Sequence, residues 1–272
     1  MSRPSLPKVI ATDCDGTLLR SDGTISPRTQ AAVEAAEAAG ITIILVTARP
    51  PRWLDELASV AGEHAIALCG NGAFTYDLSS REIISHRLMD PDLVVQLAAE
   101  LHEAIPDIDL ALESVAGFAH EPGFERMSGR TDGFWAVGPV AELVASPPGK
   151  LLVRMPSADV DELFAQVEHV VAGRAEVSHS GAAGMAEIVA TGVTKGMAIQ
   201  AWCEEHSVEA ADVWTFGDMP NDIPMLTWAG RSFAMANGHE QAKAAATDHI
   251  ASNDEDGVAE VLEQALASAL RN

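Results

Sequence analysis

Short apolar runs, each ending in small or polar residues, recur near both ends of the chain and are mostly followed by a helical pattern. Six such runs are found, at residues 8–13, 41–46, 65–69, 213–216, 232–236 and 249–252. Their Val, Ile and Leu residues do not alternate with polar residues, which is typical of strands covered by helices on both faces. The repeated order of strand and helix predicts a doubly wound, mainly parallel α/β sheet whose strands come from two separate parts of the sequence.

The segment between these two parts has a different pattern. Helical periodicity at residues 90–105 and 157–173 alternates with four candidate strands, and a Gly- and Pro-rich span covers residues 117–149. We therefore predict a Rossmann-like core formed by residues 1–84 and 188–272, with an inserted α+β domain over residues 85–187. The 272 residues are sufficient for two domains.

The charge and the cysteines restrict the partners and the compartment. A net charge of -23 repels the phosphates of nucleic acids and anionic lipids, and no basic patch compensates for it. No apolar run approaches the ~20 residues of a membrane span. The three cysteines include no CxxC pair, which suits a reducing compartment. We expect a cytoplasmic protein, a monomer or small homo-oligomer, with neither a nucleic-acid nor a membrane partner.

Polar residues follow three of the predicted strands at their carboxyl ends, where open α/β sheets bind ligands. Asp13 and Asp15 follow the first strand, residues 47–49 follow the second, and the sequence GDMPND at residues 217–222 follows a later one. Several carboxylates cannot share one crevice unless a cation neutralises them or one of them holds a proton. Oxygen ligands of this kind suit Mg2+, and Lys195 can add a positive charge for a phosphate group.

Four short motifs in this order resemble those of the haloacid dehalogenase superfamily, and within it the Cof-type phosphatases. They are DCDGT at residues 13–17, VTAR at residues 46–49, Lys195, and GDMPND at residues 217–222. The segment CGNGAF and the region from AMANG towards the end of the chain also look like Cof-type sequences, so the resemblance covers the whole predicted core. The inserted domain resembles the cap of that family in its position and coarse pattern.

The resemblance implies a Mg2+-dependent phosphatase that hydrolyses small phosphate monoesters, such as sugar phosphates or phosphorylated cofactors. Asp13 would attack phosphorus and form an aspartyl-phosphate. Asp15 would protonate the leaving oxygen and later activate water. The Asp13 carboxylate, the Asp15 backbone carbonyl and Asp218 would hold Mg2+.

The remaining residues of the motifs would bind the phosphate or support the site. The implied phosphate ligands are the side chains of Thr47, Lys195 and Asn221 and the backbone of Cys14 and Ala48. The implied supporting residues are Asp222, which would orient Lys195, together with Gly16 and Thr17. Contacts to the rest of a small phosphorylated metabolite are expected from Arg49, Asn71, Arg126 and Arg130. The Cys14 side chain is expected to pack in the core rather than to react.

Two other functions remain open. A phosphomutase would use the same aspartyl-phosphate but return the phosphoryl group to its substrate, and release of inorganic phosphate without a bisphosphate activator would separate the two enzymes. A catalytically retired phosphate-binding or regulatory protein would be expected to lose a motif residue, and none is lost here. An EF-hand calcium loop starting at Asp13 is excluded, because its twelfth position is Thr24 rather than Glu.

Overall fold

The computed structural model of the chain describes residues 6–57, 66–124 and 135–270. The strands within these residues are β1 (Val9–Thr12), β2 (Thr42–Val46), β3 (Ile66–Cys69), β4 (Phe74–Asp77), β5 (Glu82–His86), β6 (Asp109–Ser114), β7 (Gly117–His120), β8 (Trp135–Val137), β9 (Pro148–Arg154), β10 (Glu176–Ser178), β11 (Met185–Val189), β12 (Val213–Gly217), β13 (Arg231–Met235) and β14 (Asp248–Ile250). The helices are α1 (Pro27–Ala38), α2 (Pro91–Ala104), α3 (Val140–Leu143), α4 (Val160–Val171), α5 (Lys195–Glu205), α6 (Ile223–Trp228), α7 (Glu240–Ala245) and α8 (Gly257–Leu270).

The larger sheet has the strand order β14-β13-β12-β1-β2-β3-β4-β5. Strands β1, β2, β3, β12, β13 and β14 pair in parallel, with β1 between β2 and β12. On one face, Ile10 and Leu45 pack with helices α1 and α8. On the other, Val9 and Ile44 pack with α5 and α6. The uninterrupted apolar runs therefore belong to strands buried on both faces, which confirms the predicted doubly wound α/β core.

The ends of two helices follow their sequence signals. Helix α1 begins where the Ser26 side chain accepts a hydrogen bond from the Thr29 N–H at 2.9 Å, and Gly40 follows it with φ of +88°. Helix α5 begins in the same way, because Thr194 Oγ1 accepts from the Met197 N–H at 3.1 Å. This cap fixes Lys195 as the first residue of α5, next to the carboxyl ends of the strands.

Parts of the larger sheet differ from the prediction. Strands β4 and β5 extend it as an antiparallel edge that the sequence did not predict. The sequence PRWLDELASVAG at residues 51–62 has a helical pattern, but the chain forms two 3-10 turns in its first part, at Pro51–Trp53 and Asp55–Leu57. Residues 58–65 lie outside the described part of the chain. The turns are tight because the Leu54 N–H bonds to the Pro51 carbonyl, three residues back.

The smaller sheet has the strand order β10-β11-β9-β6-β7-β8. Leu112, Leu151 and Ile188 lie on the face that packs against α2 and α4. Because side chains alternate along a strand, their neighbours lie on the opposite face. We call this the open face, and it carries Glu113, Phe118, Lys150, Leu152, Met185 and Glu187. All six line a cavity together with residues that follow β1 and β2. The open face therefore forms the roof over the carboxyl ends of the larger sheet.

The chain passes from the larger sheet to the smaller one after β5 and returns after β11. Strand β5 of the larger sheet runs to His86, and β11 of the smaller sheet runs to Val189. The boundaries expected from the sequence, between residues 84 and 85 and between residues 187 and 188, fall inside these two strands. Within the residues described, we find no helix with the length and apolar character needed to cross a lipid bilayer.

Candidate active site

The motif residues converge on a cavity of about 540 Å3 between the two sheets. Three of the four motifs follow β12, β1 and β2, which are adjacent strands of the larger sheet, and the remaining one, Lys195, begins α5, so residues that are far apart in the sequence come together. The motif residues that line the cavity are Asp13, Asp15, Thr47, Ala48, Arg49, Lys195 and Asn221. Asp218 and Asp222 are buried beside Asp13.

Lys195 connects two of the motif carboxylates from a buried position. Its Nζ donates to Asp13 Oδ1 at 2.8 Å and to Asp222 Oδ1 at 2.6 Å. Asp222 Oδ2 accepts from the backbone N–H groups of Asp218 and Met219, both at 2.9 Å. Burial opposes the charge on Lys195, but the two carboxylates outweigh it and raise the pKa of the ammonium group. Lys195 is therefore a fixed cation next to Asp13.

The carboxylates outnumber this cation. Oxygen atoms of Asp13, Asp218 and Asp222 lie within 4.8 Å of one another. Burial raises the pKa of Asp13 against the opposing effect of Lys195, and burial also raises the pKa of Asp218 to about 6. Asp218 Oδ1 accepts from Thr17 Oγ1 at 2.7 Å. Three buried acids against one lysine leave an excess of negative charge, which a hard divalent cation with oxygen ligands would neutralise. These residues thus fit the expected Mg2+.

Gly16 allows the first motif to turn around Asp218. Its φ is +77°, and a Cβ at this position would overlap the Asp218 carboxylate. The Gly16 carbonyl accepts from Asn237 Nδ2 at 2.8 Å, and Asn237 Oδ1 accepts from the Asn253 N–H at 3.1 Å. Asn237 thus stabilises the turn that carries the motif, a role for which the sequence contains no signal.

Asp15 lies at the edge of the cavity and is paired with Arg49. The guanidinium donates through Nε to Asp15 Oδ2 at 2.7 Å and through Nη2 to Oδ1 at 2.6 Å. The Asp15 side chain is 58% exposed, whereas that of Arg49 is 15% exposed. Thr47 Oγ1 accepts from the Arg49 N–H at 3.1 Å, which helps to fix the turn after β2. Both carboxylate oxygens of Asp15 are occupied in this arrangement.

Two polar side chains of the open face reach the larger sheet. Lys150 Nζ donates to the Ala48 carbonyl at 2.8 Å and lies 3.3 Å from Glu187 Oε1. Glu187 Oε2 accepts from Asn71 Nδ2 at 2.5 Å, and Asn71 Oδ1 accepts from Asn221 Nδ2 at 3.1 Å. The smaller sheet is thus hydrogen-bonded directly to Ala48 and Asn71, and through Asn71 to Asn221. Neither Lys150 nor Glu187 was found from the sequence, and the only available signal was a charge within an apolar strand.

The other expected contact residues have varied positions. Asn71 lies behind Asn221 and is buried, and its φ of +60° is left-handed. Arg52, to which the sequence assigns no role, lines the cavity and pairs with Glu113. Burial raises the pKa of Glu113 to about 6, although Arg52 opposes this shift. Arg126 and Arg130 lie outside the described residues.

The Cys14 side chain points into the core and does not line the cavity. Its side chain is fully buried and packs in the core under helices α1 and α8. Burial, reinforced by the charges of Asp13 and Asp15, raises the pKa of the Cys14 thiol. The Cys14 side chain therefore packs in the core, as predicted.

The pairing of Lys195 with Asp222 predicts a large change in stability. In Asp222→Ala, one buried partner of the ammonium group and the acceptor of two backbone N–H groups are lost. Removing one partner of a buried ion pair costs ~3–5 kcal/mol, so we expect the Tm to fall by roughly 10 °C. Asp212→Ala is the matched control, because Asp212 pairs with the exposed Lys8 on the surface, and its Tm should change little. Equal melting temperatures for both variants would show that the buried pair does not stabilise the fold.

Comparison with known proteins gives consistent matches over nearly the whole chain. A family model described as haloacid dehalogenase-like hydrolase matches residues 10–262. The 5-amino-6-(5-phospho-D-ribitylamino)uracil phosphatase YwtE of Bacillus subtilis is 28% identical, over 96% of this chain and 98% of that protein. The pyridoxal phosphate phosphatase YbhA of Escherichia coli is 27% identical, over 94% and 97%. The solved structure of SMU.1108c from Streptococcus mutans matches with a TM-score of 0.85 at 25% identity, over 97% of this chain and 100% of that chain.

Proposed function

Because the chain belongs to the haloacid dehalogenase-like hydrolase family, we propose that it is a Mg2+-dependent phosphatase of small phosphate monoesters that works through an aspartyl-phosphate. The match confirms the resemblance found from the four motifs. The observation that carries the proposal is the position of Asp13, a buried carboxylate that contacts Lys195 and faces a cavity large enough for a metabolite.

Asp13 is the proposed nucleophile. The hydrogen bond from Lys195 fixes the orientation of its carboxylate before substrate binds. A bond forms between an Asp13 oxygen and phosphorus, and the bond between phosphorus and the substrate oxygen breaks. Asp15, which takes up a proton from solvent once Arg49 releases one of its oxygens, gives that proton to the departing oxygen. In the second step Asp15 takes a proton from water, the water oxygen attacks phosphorus, and inorganic phosphate and free Asp13 are produced.

Asp15 must exchange partners during this cycle. Arg49 donates to both of its carboxylate oxygens. A general acid must lie within hydrogen-bond reach of the oxygen that it protonates. Substrate therefore displaces Arg49 from at least one oxygen of Asp15, and the released guanidinium becomes available to the substrate.

The phosphoryl oxygens would be held by side chains and backbone groups at the ends of three strands. Thr47, Lys195 and Asn221 supply side-chain donors, and the N–H groups of Cys14 and Ala48 supply backbone donors. The Asn221 amide also bonds to Asn71, which orients it. Such preorganised donors stabilise the charge that develops as the phosphoryl group moves.

Mg2+ would be held by Asp13, the Asp15 carbonyl and Asp218, at the carboxylates that Lys195 alone does not neutralise. When bound, it supplies positive charge that polarises the phosphoryl group. Asp222 is committed to Lys195 and to two backbone N–H groups, so its proposed role is to position Lys195.

The proposed cap is the inserted segment over residues 85–187, which includes most of the smaller sheet and helices α2, α3 and α4. It covers the cavity with the open face, whose Lys150 contacts the carbonyl of Ala48. A cap in this position limits the access of water to the site. It also contacts the leaving group, because the site residues of the larger sheet would bind the phosphate and the metal.

A direct test is the release of inorganic phosphate from a panel of phosphorylated metabolites in the presence of Mg2+. We expect steady release without any bisphosphate activator, because water accepts the phosphoryl group from Asp13. Relatives of this chain are named as phosphatases for a ribitylaminouracil phosphate and for pyridoxal phosphate, so both esters belong in the panel. Isomerised phosphate ester without free phosphate would instead identify a phosphomutase.

A further inference from the structure

One wall of the cavity is apolar. It is formed by Phe118, Phe124, Leu152 and Met185, which form one hydrophobic cluster and are each at most 8% exposed. This apolar wall is separate from the cluster that packs under helices α2 and α4. Apolar side chains on a sheet face without a helix usually meet water or a second layer of protein. Here they meet the cavity, so a bound leaving group would cover them.

The charged side chains around the apolar wall are already paired. Glu113 of the open face pairs with Arg52, which follows β2, and Lys150 pairs with Glu187 within the open face. Across the described residues that line the cavity, each charged side chain has an ion-pair partner. A hydroxyl group placed against the apolar wall would remain without a hydrogen-bond partner there, because the four side chains of the wall carry no N–H, O–H or oxygen.

Flat groups already stack beside this wall. The Arg52 guanidinium lies over two rings, 4.9 Å from the centroid of Trp53 and 4.8 Å from that of Phe118. Phe118 and Phe124 meet edge to face with their centroids 5.7 Å apart. An aromatic ring of a ligand could pack against these rings edge to face or in an offset stack. The cavity of about 540 Å3 has room for a ring besides a phosphate group.

We infer that the leaving group carries an aromatic or heteroaromatic ring, which packs against the apolar wall, and that polyhydroxylated sugars fit poorly. The inference rests on the phosphatase function proposed above and narrows its substrate class. An apolar pocket discriminates against an added hydroxyl by about 100-fold when it offers that group no partner. The selectivity thus comes from the roof, whereas Asp13 and Lys195 act on any phosphate monoester.

The test compares kcat/KM for four esters with Mg2+: 1-naphthylmethyl phosphate, benzyl phosphate, glycerol 3-phosphate and glucose 6-phosphate. All four release a primary alcohol, so the differences report recognition of the leaving group. We expect 1-naphthylmethyl phosphate to exceed glucose 6-phosphate by at least about tenfold, with benzyl phosphate between them. A kcat/KM for glucose 6-phosphate equal to or above that for the naphthyl ester would overturn the inference.

A series of variants tests whether the apolar wall causes the preference for an aromatic leaving group. Leu152→Gln keeps the approximate size but places an amide on it, whereas Leu152→Met keeps it apolar. The readout is the ratio of kcat/KM for 1-naphthylmethyl phosphate to that for glycerol 3-phosphate. We expect Leu152→Gln to lower this ratio about tenfold and Leu152→Met to retain it. Met185→Gln, on the same wall, provides the test if Leu152→Gln does not fold.

Val115→Gln is the matched control, because Val115 is 48% exposed in the turn between β6 and β7 and does not line the cavity. Its ratio should equal that of the unchanged protein. Equal ratios in all folded variants would show that the wall does not bind the leaving group, while the phosphatase function would stand. No phosphate release from any of the four esters would overturn the function and the inference together.

Discussion

Asp13→Asn is expected to reduce turnover by at least about 1000-fold, comparable to the loss of a covalent nucleophile. The substitution keeps the size of the side chain but removes the negative charge that attacks phosphorus. Lys195 retains Asp222 as a partner, at 2.6 Å, so the ammonium group stays neutralised in the variant. The loss should therefore appear in kcat, measured as phosphate release under saturating substrate, without unfolding of the protein.

The controls for Asp13→Asn separate chemistry from folding. The circular dichroism spectrum should match that of the unchanged protein. Asp212→Asn makes the same chemical change on the surface and should leave kcat unaltered, because Asp212 contacts only the exposed end of Lys8 among the ion pairs described for it. Near-normal turnover in a folded Asp13→Asn variant would rule out Asp13 as the nucleophile.

Removal of divalent cations with EDTA is expected to abolish activity, again by at least about 1000-fold, and excess Mg2+ should restore it. The reason is the uneven charge of the site, where Asp13, Asp218 and Asp222 face one lysine. Without a cation, a phosphate dianion would approach an excess of negative charge. Phosphate release measured against added Mg2+ after chelation gives the result directly.

Asp218→Ala tests whether the Asp218 carboxylate helps to bind the cation. In this variant Mg2+ should restore little or no activity, because Asp218 supplies one of the proposed ligands. Asp248→Ala is the control. Asp248 lies on the edge strand β14 of the same sheet and forms a surface ion pair with Arg231. The activity of this variant should recover fully with Mg2+. Full activity in the presence of chelator would exclude the metal requirement altogether.

The parallel strands of the larger sheet could be predicted from the sequence because the central ones are buried on both faces. Uninterrupted apolar runs such as Ile43 to Val46 give a signal that depends on few long-range contacts. The convergence of Asp13, Thr47 and Asp218 was likewise predictable, since they follow parallel strands whose carboxyl ends share one edge. The roles of the individual site residues stay predictions that the experiments above test.

The features missed from the sequence depend on how the two sheets face each other. Lys150 and Glu187 are charged residues within apolar strands, and only the position of the smaller sheet brings them to Ala48 and Asn71. Strand β7 has alternating burial over four residues and lies in a span whose Gly and Pro content indicated a loop. Such a short strand takes its stability from its partners β6 and β8, which no local pattern reveals.

The central position of β1 has a consequence for synthesis on the ribosome. Val9 pairs with Thr42 on one side and with Val213 on the other, so one edge of β1 has no partner until most of the chain has been made. Pairing between strands so distant in sequence slows folding, and an unpaired apolar edge is a template for association with other chains. A nascent chain that stalls before β12 would carry Asp13 but lack Asp218 and Asp222, and would expose the middle of its own sheet. Translation through β12 and the motif that follows it thus completes both the candidate site and the partner of the free edge of β1.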